Sequence, residues 1–358
     1  MTQQLKSIQA LRGLACLAVV TFHFRYQIKA HYPALTKVLS TGAIGVDLFF
    51  ILSGFVITLS VSRMGTGFAA AGDFLKRRAL RLLPAYFILL LINFLLSGAM
   101  ATFHYADKTQ ALISAATLSV YLPQHAPFYV DDSGFMGVRW TLNYEFLFYL
   151  MMAVCLLVRA RWVALAAMLG AVLVAVPMAA GHQPTLLVHG YDMGYAYLNL
   201  MTNPIIWQFA AGVLIGLVYP YMARLPVVAR VPFLLAAVAL FVQHIISYQH
   251  IGHGLMASGT VLALLLAAVA FNDSWLGRIT PRWLVFLGDI SFSVYLIHIV
   301  TKDRLSKTFT DQGMTFFVCN VLLALLVGWL SYRYIEPIGQ KIARRHKEKA
   351  LRSEGDAA

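Results

Sequence analysis

Long apolar runs, broken at intervals by short clusters of charged and turn-forming residues, dominate the chain. Runs of spanning length recur at 8–28, 43–62, 80–100, 140–158, 162–180, 203–219, 231–248, 254–271, 284–301 and 314–334. A helix of about 20 apolar residues crosses a hydrocarbon core of about 30 Å. The pattern therefore predicts an all-α, polytopic integral membrane protein with about ten transmembrane helices. The run ALISAATLSVYL at 111–122 is too short to cross and reads as a re-entrant or interfacial element in the longest loop, 101–139. One membrane domain is expected over 1–340, followed by a basic tail over 341–358. No internal repeat of the kind seen in inverted-repeat transporters stands out.

Composition agrees with this pattern. Hydrophobic residues make up 60% of the chain and charged residues 12%, with a mean hydropathy of +0.72, which leaves too little polar surface for a soluble domain. The formal net charge of +13 would suit nucleic acid, but the cations gather at predicted helix ends with no aromatic-interleaved basic domain. The expected partner is the lipid bilayer, not nucleic acid. With the N-terminus placed inside, the inner loops and tail carry more than twice as many Lys and Arg as the outer loops, so both termini are expected to be cytoplasmic. The first run lacks an A-x-A cleavage pattern and contains Arg12 and His23, which marks a retained helix rather than a signal peptide. Cys16, Cys155 and Cys319 fall within predicted helices without paired spacing, so no disulfide framework is indicated. His244, His250 and His253 gather loosely around one outer loop; metal binding there is an alternative reading, and no metal site is assigned.

The polar groups inside the predicted helices change the picture most, because ionisable side chains at membrane depth are costly and mark function by default. Arg12 and His23 share one helix, eleven residues apart, or about 16 Å. Sorted by depth, His23, Asp47, Glu145 and His298 enter the outer half from four helices, with Asn143 beside Glu145. Arg12, Arg78, Arg81 and Arg333 lie near the opposite face. Arg78 and Arg81 are three apart and share a helix face, with Pro84 close behind to kink the helix start. Arginine's planar fork pairs with phosphate oxygens and stays charged. An anion pocket half a membrane away from an acid/base cluster fits acyl-coenzyme A as donor. Its nucleotide would sit on the arginines and its pantetheine arm would carry the thioester up to the histidine level. Simpler readings stand beside these. Asp47 would cap a helix start, Glu145 would pair with Arg139, and the basic residues would merely obey the topology rule. A polytopic proton-coupled transporter would use His23, Asp47 and Glu145 as a proton path.

Six segments taken in order resemble membrane-bound acyltransferase family 3, the O-acetyltransferase type. They are LRGLACLAVVTFHF with Arg12 and His23, GAIGVDLFFILSGFVI with Asp47, FLKRRALRLLPAY with Arg78 and Arg81, WTLNYEFLFYL with Glu145, GDISFSVYLIHI with Ser291, Ser293, Tyr295 and His298, and YIEP with Glu336. The resemblance implies catalysis by His23, expected as general base with Glu145 or Asp47 stabilising the imidazolium and Glu145 preferred, and handling of acyl-CoA, expected to be acetyl-CoA, by the arginine pair. It implies an acceptor hydroxyl on a surface or secreted glycan, a lipid-linked sugar such as lipopolysaccharide, or a small molecule, and residence in a bacterial inner membrane. Some members of the family carry an appended SGNH hydrolase-like domain; none is expected here, since the helices are followed only by the tail to Ala358.

Overall fold

A computed structural model describes residues 4–131, 134–248, 250–308, 313–339 and 341–342. Among the described residues every regular element is helical. α1 (Lys6–Phe24) continues through a 3-10 turn to Ile28; α2 (Pro33–Ser40) leads by a second 3-10 turn into α3 (Gly45–Val61), and α4 (Phe68–Leu96) follows. The short α5 (Ala106–Thr117) occupies the longest loop, ahead of α6 (Trp140–Cys155). α7 (Arg161–Gly170) passes through a π-turn into α8 (Val176–Ala179), α9 (Ala196–Thr202) precedes α10 (Trp207–Met222), and α11 (Val227–Ser247) comes next. α12 (Thr260–Phe271), α13 (Asp273–Ile279), α14 (Arg282–Thr308) and α15 (Met314–Tyr334) complete the bundle.

Among the described residues, eight helical segments are long and apolar enough to cross a membrane, and the pair 255–271 and 273–279, bent by 83°, makes up to nine. α6 takes the remaining place in the sequence pattern. Its 16 residues extend about 24 Å, less than a full span. Trp140, Leu142, Asn143, Tyr144, Phe148 and Tyr149 are all buried, while Leu150 and Val154 are more than half exposed, so other helices enclose most of α6 and leave one narrow apolar face open. α5, with 12 residues, is about 18 Å long, in keeping with a segment that does not cross. Beyond Ile342 the basic tail lies outside the described residues.

Close crossings set the positions of the functional helices. A Cβ added at Gly288 would lie 2.0 Å from Gln9 O, and one at Gly13 would lie 2.7 Å from Gly288 N. α1 and α14 therefore meet backbone to backbone, which only glycine allows, and the Arg12–His23 stretch runs beside Ser291–His298. Ser7 N and Oγ donate to Asp273 Oδ1 at 2.9 and 2.6 Å, a carboxylate at the positive end of α1. α4 starts well before residue 80 and runs through Pro84, so Arg78 and Arg81 are inside a helix rather than ahead of one. Pro84 has no N–H for the Leu80 carbonyl. The chain after α15 closes on that point, since a Cβ at Gly339 would sit 1.8 Å from Leu80 O. This contact brings Glu336 towards the arginines of α4.

Candidate active site

A cavity of about 540 Å³ lies between α1, α3, α4, α6 and α14, with Arg12, Arg78 and Arg81 among its lining residues together with Glu145 and Glu336. Arg78 and Arg81 reach it from one helix face, as their spacing predicts. Arg77, one position away, is exposed and pairs with Asp73. Tyr149 OH donates to Glu145 Oε1, and the Arg78 guanidinium lies 5.5 Å from the centroids of both the Tyr149 and Phe74 rings. Ser293 Oγ donates to Glu336 Oε1 at 2.6 Å and contacts Ser331 Oγ at 2.9 Å, which fixes that carboxylate. Arg12 has Arg81, Glu145 and Glu336 as charged neighbours. Among the described residues, however, the ion pairs within 4 Å are Arg77–Asp73 and His253–Asp47. The three cavity guanidinium groups thus feel the carboxylates without being occupied by them and keep donors for an anion. At one mouth Asp289 accepts from Gln4 and Gln9 at 3.0 and 2.8 Å.

At its far end the cavity stops at Phe49, Thr141 and Tyr295. The Tyr295 hydroxyl lies 3.1 Å from Thr141 Oγ1, and its ring packs against Phe49 at 5.8 Å and His298 at 5.7 Å between centroids. Beyond Tyr295 stands the histidine pair. His298 Nδ1 is 2.6 Å from Tyr295 O, His23 Nδ1 is 2.9 Å from Val19 O, and His298 Nε2 is 3.2 Å from His23 Nδ1. A ring nitrogen facing a carbonyl must carry the proton, so the network assigns both neutral rings as Nδ1–H tautomers. His298 Nε2 then accepts from His23, and the His23 Nε2 lone pair remains free for a reacting hydroxyl.

The remaining candidate residues lie elsewhere. Asp47 is fully buried and faces away from His23: it accepts from Gln208 Nε2, from Gly254 N at 2.8 Å and from His253 Nδ1 at 2.7 Å. Burial pulls the His253 imidazole down, but the Asp47 charge and hydrogen bond outweigh it and leave the group above its ordinary value. The sequence reading had grouped His253 with His244 and His250; His244 instead meets Ser258 Oγ at 2.9 Å. Glu145 is separated from His23 and also from Arg139, which is fully buried and donates to Phe135 O and Ser114 Oγ, each at 2.7 Å. Ser291 lines the cavity, with its hydroxyl on Gly288 O at 2.7 Å. Asn143 is buried on α6, and among the described residues neither of its amide atoms has a partner. Arg333 is exposed and outside the cavity. Sequence reasoning missed Thr141 and Tyr149. The second stands four residues after Glu145 on one helix, a spacing that places both on one face.

Comparison with known proteins places the chain in a family. The profile of a family described as an acyltransferase domain matches residues 5–333. The Peptidoglycan O-acetyltransferase OatA of Listeria monocytogenes is 25% identical over 92% of this chain and 55% of its own length. The Exopolysaccharide production protein ExoZ of Rhizobium meliloti is 27% identical over 82% of this chain and 88% of its own length. The chain therefore spans about half the length of the first relative and most of the second. No solved structure matches.

Proposed function

The chain belongs to the acyltransferase family whose profile spans it, and from that premise we propose that it moves an acyl group, acetyl by analogy with OatA, from acyl-coenzyme A to a glycan hydroxyl. The setting is a bacterial cytoplasmic membrane, with the arginine end of α1 on the inside. One observation carries this reading: a single helix presents Arg12 to an anion-ready cavity and, eleven residues or about 16 Å further along, His23 with its Nε2 lone pair free. An extended donor joins the two. Its phosphates dock on Arg12, Arg78 and Arg81, where planar forks match phosphate oxygens. Its pantetheine arm runs along the cavity and turns the Tyr295 ring aside to bring the thioester to the histidines.

The acceptor hydroxyl attacks the thioester carbonyl as His23 Nε2 takes its proton. The tetrahedral intermediate then expels the coenzyme A sulfur, which receives that proton from His23, leaving an O-acyl ester and free thiol. His298 orients the base by accepting from Nδ1–H. The proton-path alternative finds no support in the geometry, because His23, Asp47 and Glu145 sit in three separate surroundings. The direct test is mass spectrometry of surface and secreted glycans from cells expressing the chain, His23→Ala, or neither. An acyl mass increment present only with the intact chain is expected. Persistence of the increment in His23→Ala would remove His23 from catalysis.

A further inference from the structure

Just outside His23 the fold gathers groups that the transfer chemistry leaves unused. Arg25 follows in the 3-10 turn 25–28, and Lys302 stands about one turn beyond His298 on α14; both are charged neighbours of His23. Among the described residues neither has a carboxylate within 4 Å. The Arg25 guanidinium lies over the Phe22 and Tyr26 rings, 3.8 and 4.0 Å from their centroids, and donates to Tyr26 OH at 2.7 Å. The stack holds the cation in place while Tyr26 remains 60% exposed.

Two buried amides join this level. A Cβ at Gly328 would lie 2.3 Å from Val294 Cγ2, which fixes the register of α14 against α15. Positions 302 and 320 lie equally far from that crossing along their own helices, so Asn320 lies at about the level of Lys302. α15 also packs on the turn that holds Arg25 and Gln27. Asn320 is fully buried and Gln27 is 8% exposed. Among the described residues, both amide atoms of Asn320 and the Gln27 Oε1 lack a partner, a costly arrangement unless a ligand supplies one.

Resting on the acyltransferase reading, we propose that this level is the acceptor subsite and that it takes an anionic sugar. A carboxylate or phosphate of the glycan pairs with Arg25 and Lys302, Tyr26 stacks on the ring, and Gln27 and Asn320 bind neighbouring hydroxyls. The same anion answers an electrostatic difficulty. His23 gains a positive charge as it takes the proton, beside two cations, while Glu145 and Asp47 are engaged elsewhere. An acceptor that brings its own negative charge stabilises that imidazolium at the moment it forms.

The glycan spectra already called for decide between the outcomes. The expected acyl increment falls on a residue that bears a carboxylate or phosphate, or on its immediate neighbour, and the fragment masses tell the two anions apart. An increment confined to neutral sugars overturns the anionic subsite and leaves the acyltransferase reading standing; no increment on any glycan overturns both. For the full chain in lipid nanodiscs, the glycan so identified is compared with the same glycan after its carboxyls are reduced or its phosphates removed. Loss of the charge is expected to raise the acceptor KM by about tenfold or more. Arg25→Gln is expected to erase that difference while the acetyl-CoA KM stays put, and Arg25→Lys to restore most of it. Equal KM values for the charged and neutral glycans would overturn the proposal, as would an Arg25→Gln effect that falls on the donor instead.

Discussion

The two ends of α1 handle charge in opposite ways. Around Arg12 the cavity holds three guanidinium groups and the carboxylates of Glu145 and Glu336, with Asp289 at one mouth, and among the described residues none of these groups forms a direct ion pair. Around His23 the side chains are two imidazoles in contact, each also tied to a backbone carbonyl, with cations but no described carboxylate beside them. One end is built to hold an anion, the other to present a lone pair. Separating these tasks by about half a membrane thickness demands a donor long enough to bridge them. It also keeps the arginine field from directly opposing the proton transfer at His23.

The largest expected effect tests whether the arginine end serves the donor alone. Arg12→Ala removes a charge-assisted fork worth about 1.5–3 kcal/mol, so the acetyl-CoA KM should rise by about 10- to 100-fold while the acid limb of the pH–rate profile stays in place. Arg12→Lys keeps the charge without the planar fork and should fall between. An unchanged donor KM in Arg12→Ala would break the division of labour. Glu145→Gln sharpens it further. The substitution preserves a partner for Tyr149 and removes one charge facing Arg12 and Arg78. If Glu145 served His23, the acid limb would shift; with Glu145 among the arginines, the limb should hold and only the donor KM should move.

The helices were legible from hydropathy because each run must satisfy the bilayer over a fixed length. Arg12 and His23 were legible for the same reason: their spacing along one helix is their spacing in depth. The partners were not, because depth says nothing about which way a side chain points around its helix. Asp47 shares a level with polar residues of other helices, yet it turns towards α10 and the 252–254 loop, where Gln208, His253 and Gly254 take it up. Glu145 turns into the arginine cavity, and Arg333 turns out of it. The His23–His298 contact depends on the Gly13–Gly288 crossing, a tertiary fact that two isolated glycines do not announce. Arg78 and Arg81 were placed correctly on one face because that relation is local to a single helix.

At the histidine end, His298→Phe keeps an aromatic ring and removes the acceptor for His23 Nδ1–H. Val19 O still holds that proton, so the tautomer survives with less orientation. A loss of about tenfold in kcat is expected, the scale of one hydrogen bond of about 1.4 kcal/mol, with the donor KM unchanged. Inactivation as complete as in His23→Ala would show that His298 is itself the base and that the two rings have exchanged roles.

The smallest effect concerns the carboxylate that the histidine end does without. Asp47 holds His253 above its ordinary value, and a group raised on folding stabilises the fold fully below its unfolded value of about 6.5 and loses that contribution as pH climbs through the folded one. The tie between α3 and the 252–254 loop should therefore weaken between mildly acidic and alkaline buffer. In the full chain in nanodiscs, this should lower the apparent melting temperature by about 2 °C and speed amide exchange in that loop first. In His253→Gln the difference should vanish, since glutamine donates to Asp47 at any pH. The activity limb assigned to His23 should be the same in both proteins. Were that limb to shift in His253→Gln while the melting temperature held, Asp47 and His253 would belong to the proton chemistry, and the histidine end would have its carboxylate after all.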